Sequence, residues 1–145
     1  MKHKRALLIA AHGSRRQQSN DEIKRLANQV SQQVAASFHW VEHAFLELTE
    51  PSIESGIERC VALGATEVVV LPYFLSAGRH VAEDIPAIVH AKQQHYQEQG
   101  IAIRLSNYLG ASQVMPELVL KTALAEHCAC ERRITDCVYP DCQVS

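Results

Sequence analysis

Two runs in this chain admit almost nothing but apolar side chains. One is Ala6-Leu7-Leu8-Ile9-Ala10-Ala11 and the other is Val68-Val69-Val70-Leu71-Pro72. A strand with one face in water alternates polar and apolar residues, whereas a strand without alternation must be covered on both faces. Both runs are short and begin beside a charged residue, Arg5 or Glu67, which suits buried strands better than helices. Between and after them the apolar residues switch to helical spacing. Strand and helix patterns alternate four times, which is the signature of a parallel α/β sheet.

The first helix is expected near Ser19, with Glu22 three residues on as a capping box, and with Ile23, Leu26, Ala27, Val30 and Val34 on one face. A second strand, Trp40–Leu46, carries Glu42 and His43 and reads as an edge. Thr49 is the expected cap of the second helix, with Pro51 in its first turn. Ile53, Ile57, Cys60 and Val61 line one face of that helix, and Gly64 stops it. The third strand is Glu67–Leu71. The third helix is expected over Glu83–Glu98, and the fourth strand over Ile101–Leu105, where Arg104 marks the other edge. A fourth helix follows Ser112 and carries Leu118, Val119, Leu120, Ala123 and Leu124. Central strands one and three between edges two and four predict the order 2-1-3-4. The expected fold class is therefore α/β, a single small doubly wound domain with a four-stranded parallel sheet and helices on both faces. The junction of strands one and three is its topological switch point.

A chain of 145 residues, 47% apolar and 21% charged, suits one globular domain. The expected division is an α/β domain over 1–127 and a cysteine-rich tail over 128–145. A formal net charge of -2 gives no general attraction to nucleic acid or anionic membrane, and neither is an expected partner. The basic start, Lys2 to Arg5, precedes an apolar stretch too short for a secretory leader. No stretch approaches the roughly 20 apolar residues of a membrane span. The cytoplasm is the expected compartment.

The candidate chemistry lies just past the strands. His12 follows strand one, and His80 follows strand three after the loop Tyr73 to Arg79. In the predicted order both imidazoles reach the carboxyl rim, where open α/β sheets place their ligands. Glu47 ends strand two beside them. Two imidazoles and a carboxylate without a thiol suit cobalt, nickel, iron or zinc in a site that must also release the ion. The turn His12-Gly13-Ser14-Arg15-Arg16 has one glycine where a dinucleotide fingerprint has three, and it lacks the lysine of a phosphate-binding loop, so it does not read as a nucleotide site. His39 and His43 lie on or next to strand two, and His90 and His95, five apart on the third helix, form no i, i+4 pair; all four read as surface or satisfied positions, and His3 sits at the terminus.

Three stretches carry a family resemblance. They are Leu8-Ile9-Ala10-Ala11-His12-Gly13-Ser14-Arg15, then Ala44-Phe45-Leu46-Glu47 with Pro51-Ser52-Ile53, and then Leu71 through Pro86, which includes Ser76-Ala77-Gly78-Arg79-His80-Val81-Ala82-Glu83-Asp84. In that order they resemble the class II tetrapyrrole chelatases, and most closely the short form of the sirohydrochlorin cobaltochelatase family. The resemblance runs from about residue 5 to residue 125, and Leu71–Pro86 is its most specific part.

The resemblance implies a chelatase-like half domain that pairs as a homodimer. It also implies ATP-independent insertion of a divalent metal, with cobalt expected, into sirohydrochlorin for cobalamin biosynthesis. No organic cofactor is implied; the metal is a substrate. His12, His80 and Glu47 are the implied metal-binding and proton-accepting residues. A large flat macrocycle with many carboxylates asks for apolar loops and donors near the histidines. Leu46, Tyr73, Phe74 and Leu75, with Ser14, Arg15, Arg16, Ser76 and Arg79, are the candidates. Fe²⁺ or Ni²⁺ insertion, for sirohaem or a nickel tetrapyrrole, is an alternative. A carrier of metal or tetrapyrrole without catalysis is another. Cys128, Cys130, Cys137 and Cys142 form a possible second site for zinc or an iron–sulfur cluster, the alternative being reduced thiols on a loose tail.

Overall fold

A computed structural model describes residues 3–33 and 37–125. Four parallel strands, β1 (Arg5–Ala11), β2 (Trp40–Phe45), β3 (Glu67–Pro72) and β4 (Ala102–Leu105), form one sheet in the order β2-β1-β3-β4. The two apolar runs are its central strands. Leu8 pairs with Glu42 on one side and Val70 on the other, and Ala10 pairs with Ala44 and Pro72. Helices α1 (Gln17–Gln33), α2 (Ile53–Ala62) and α3 (Ile85–Tyr96) make the crossovers. The step from β1 out to β2 runs opposite to the steps from β2 back to β3 and on to β4. Right-handed crossovers therefore set α1 on one face and α2 with α3 on the other.

The core follows from this arrangement. Ala6, Leu8 and Ala10 of β1 and Val68 and Val70 of β3 alternate toward α2 and α3. There they meet Ile53, Ile57, Cys60, Ile85 and Val89, all buried. Burial pushes the Cys60 thiol up to about 12. At the amino end of the sheet, Glu67 is buried against two arginines and a histidine. Its carboxylate lies 2.7 Å from His3 Nε2, 3.3 Å from Arg5 Nε and 2.9 Å from Arg104 Nε.

The helix starts differ from the expected ones. α1 begins at Gln17, so Ser19 and Glu22 fall inside it and form no capping box. The entry is closed instead by buried Asn20, whose side chain accepts from the Ser14 N–H and donates to the Ser14 carbonyl. The cap of α2 is Ser52, not Thr49; its hydroxyl accepts from Ser55 N at 3.1 Å. Pro51 therefore stands before the helix, and its carbonyl takes a bond from Phe45 N. α3 is preceded by a π-helical turn over His80–Asp84, so His80 starts a helix where a loop was expected.

The chain divides into two compact units, Met1–Ser112 and Gln113–Ser145. The first holds the whole sheet. The second holds α4 (Met115–Leu124), which carries an i, i+4 pair between Glu117 and Lys121. The expected boundary at residue 127 lies outside the described residues. Among the described residues, no helix is long and apolar enough to cross a membrane.

Candidate metal centre

β1, β2 and β3 run parallel and end at the same rim. His12 is the first residue past β1, Glu47 the second past β2, and His80 opens the π-turn after the loop from β3. The rings of His12 and His80 stand 4.9 Å apart between centroids, tilted by 38°. His12 Nε2 lies 2.8 Å from Glu47 Oε1. One ligand atom from each of His12, Glu47 and His80 falls within 4.8 Å of the others. Sixty-seven residues separate the two histidines in sequence, and the switch point between β1 and β3 brings them together.

Main-chain bonds hold this spacing. Glu47 N donates to the His12 carbonyl at 3.0 Å, and Leu46 N donates to Ala11 at 2.9 Å. Gly13 permits the approach: a Cβ there would sit 1.9 Å from the Glu47 carbonyl oxygen, and its φ of +94° is a left-handed value. Leu48, next to Glu47, also adopts a positive φ of 71°, which is rare for a branched side chain. The third loop is tied by Tyr73 N to the Ala10 carbonyl and by Gly110 N to the Phe74 carbonyl. Gly110 leaves room for that loop, because a Cβ would meet the Leu75 carbonyl oxygen at 1.9 Å.

The three donors are about half open to solvent: 44% for His12, 52% for Glu47 and 42% for His80. Two imidazoles and one carboxylate make an incomplete coordination shell for a divalent ion, with positions left for an incoming ligand. His80 also has a carboxylate behind it, with Nδ1 2.7 Å from Asp84 Oδ2.

The structure separates the other candidates. Ser14 is locked by Asn20, and its hydroxyl accepts from Arg16 N at 3.0 Å. Arg15 and Arg16 project into solvent. Arg79 is exposed and paired with Glu83 at 3.5 Å. Leu75 and Ser76 are exposed and Tyr73 is half-buried. Leu46 and Phe74 pack against the core. His43 is half-buried in β2, where burial first and Lys24 second depress its pKa below the usual imidazole value. His90 and His95 are exposed. Cys128, Cys130, Cys137 and Cys142 lie outside the described residues, and no finding supports a cluster or zinc there.

Fold and rim together define a class: a parallel α/β protein with an open three-donor site at its switch point. The CbiX family model matches residues 6–126, stopping short of all four tail cysteines, and the chain belongs to that family. It is 34% identical over 113 residues to the chloroplastic sirohydrochlorin ferrochelatase of Arabidopsis thaliana, covering 78% of this chain and 48% of that one. It is 32% identical over 84 residues to the sirohydrochlorin cobaltochelatase of Methanopyrus kandleri, covering 58% and 57%. The chain thus spans about half the length of these curated relatives. Among solved structures, the sirohydrochlorin chelatase SirB from Bacillus subtilis subspecies spizizenii, in complex with cobalt, superposes with a TM-score of 0.70. That match has 30% identity and covers 86% of this chain and 52% of that one.

Proposed function

We propose that this chain is a sirohydrochlorin chelatase that inserts a divalent metal into the macrocycle, with cobalt as the ion. The observation that carries the reading is the convergence of His12, Glu47 and His80 ligand atoms within 4.8 Å at an open rim. Insertion exchanges one M²⁺ for two pyrrole protons. His12, His80 and Glu47 hold the ion as substrate, and open coordination positions accept ring nitrogens. The imidazoles and the carboxylate take up the two protons and pass them to water. Charge balance needs no nucleotide, since the cation and the two released protons carry equal charge.

The macrocycle rests against the loops that follow β1, β2 and β3. Leu75 and Tyr73 offer apolar contact, together with the exposed edges of Leu46 and Phe74. Ser14, Arg15, Arg16, Ser76 and Arg79 offer donors to its carboxylates. One small sheet supplies one wall for a flat ligand, so the working form is a homodimer. The name of the Arabidopsis relative favours iron as a second reading of the metal, because imidazole and carboxylate serve both ions.

The test is anaerobic insertion of Co²⁺, Fe²⁺ and Ni²⁺ into sirohydrochlorin, followed by absorbance. His12→Ala and His80→Ala are each expected to lose about 100-fold or more, the scale of a lost proton acceptor. Variants that retain rates within a few-fold of wild type remove these histidines from the mechanism. A single product per site in place of turnover makes the protein a carrier.

A further inference from the structure

His80 has one nitrogen already committed. Its Nδ1 stands 2.7 Å from Asp84 Oδ2, four residues on, across the π-helical turn that starts at His80. At that distance the carboxylate oxygen is the acceptor and the ring nitrogen the donor. The neutral imidazole then carries hydrogen on Nδ1 and a free lone pair on Nε2. The pair spans the turn. Its closing bond runs from Ile85 N to the His80 carbonyl, and none of its residues is buried. It therefore contributes nothing to the core. Single π-turns of this kind are uncommon and recur at functional sites. The His80 and Asp84 side chains are both 42% exposed, and polar contacts this open to solvent add little to stability. The contact is better explained by what it does to the ring.

We propose that Asp84 is a positioning residue of this centre: by accepting the Nδ1 proton of His80, it fixes the tautomer that leaves Nε2 as the ligand atom offered to the ion. This assignment rests on the metal-insertion reading above. Asp84 acts only through His80, since Nδ1 is its partner in the described structure. A carboxylate behind a ligating histidine both orients the ring and strengthens its remaining nitrogen as a donor. The His12 ring, 4.9 Å away, is engaged differently, with Nε2 itself 2.8 Å from Glu47. The two imidazoles are thus prepared unequally.

The experiment compares wild type, Asp84→Ala and Asp84→Asn as full chains. Long-range ¹H–¹⁵N correlation spectra, with His80→Gln to assign the ring, read the tautomer. Calorimetric titration with cobalt chloride reads the affinity. Wild type is expected to show His80 protonated at Nδ1. Asp84→Ala is expected to shift toward the Nε2–H form and bind cobalt about 10–100-fold more weakly, the usual effect of losing such a partner. Its melting temperature is expected to hold. Asp84→Asn keeps an acceptor oxygen and is expected to retain the tautomer and lose less affinity. The proposal is overturned if wild-type His80 carries its proton on Nε2, if Asp84→Ala binds cobalt as wild type does, or if Asp84→Asn is as weak as Asp84→Ala. Failure of wild type to bind cobalt would refute the metal reading instead, while the tautomer spectra still decide the role of Asp84.

Discussion

Gly13→Ala should damage the centre without touching a donor. The new Cβ would lie 1.9 Å from the Glu47 carbonyl oxygen and 3.3 Å from Phe45 Cβ. No real Cβ tolerates the first contact, so the two loops must part by about 1 Å to pass 3.0 Å. Parting them breaks the bond from Glu47 N to the His12 carbonyl, a net loss of about 1 kcal/mol. Holding alanine at a φ of +94° costs roughly 1–2 kcal/mol more. The sum of roughly 2–4 kcal/mol, with some strain left in the loop, should lower the melting temperature by roughly 5–15 °C. A misplacement of about 1 Å between His12 and Glu47 should slow insertion about 100-fold. Circular dichroism melting and anaerobic absorbance kinetics measure the two effects. Gly64→Ala is the control: its φ is +112°, but its Cβ meets only Trp40 Cη2 at 3.5 Å, so it should lose stability and keep its rate. A Gly13→Ala protein that inserts metal as fast as wild type would refute the reasoning, as would an equal loss of rate in Gly64→Ala.

Three further outcomes are expected. Because burial holds the folded His43 pKa below the ordinary 6.5, the unfolded chain binds the proton more tightly just below that value. Stability should therefore fall as pH drops from 6.5 toward the depressed folded value, and urea titrations at several pH values should show a shallower fall in His43→Gln. Glu67→Gln strips charge from a carboxylate that serves His3, Arg5 and Arg104. Denaturant unfolding should register a loss of about 1–3 kcal/mol, below the figure for fully buried pairs because the arginines reach water. Cys60, fully buried and with its thiol pushed up to about 12, should resist iodoacetamide in the native protein and react once denatured, as peptide mass spectrometry would show. Rapid native labelling of Cys60 would contradict its place in the core.

The sheet order could be read because burial leaves a compositional mark. β1 and β3 lack alternation, while Glu42 and His43 in β2 and Arg104 in β4 mark the edges. That order alone put His12 beside His80. Asp84 was harder to see. The apolar spacing of the third helix begins at Ile85, so the preceding turn, with no buried residue, gave no periodic signal. With the third helix expected from Glu83, His80 falls before it and Asp84 inside it, so the four-residue spacing does not read as one helical turn. The cap of α2 falls three residues beyond the expected one. Thr49 offers a hydroxyl and is the expected cap, but the chain crosses Pro51 before the helical bonds start, and Ser52 takes the position. Asn20 was invisible because its partners are main-chain atoms of the preceding loop, which hydrophobic spacing does not report.

The fastening of the three rim loops through peptide groups has an evolutionary consequence. Glu47 to His12, Leu46 to Ala11, Tyr73 to Ala10 and Gly110 to Phe74 are bonds that exchanging most side chains does not remove. The spacing of His12, Glu47 and His80 can thus stay constant while exposed residues such as Arg15, Leu75 or Arg79 drift. Descendants of one such scaffold can change the surface of the rim in small steps, with no need to rebuild the frame.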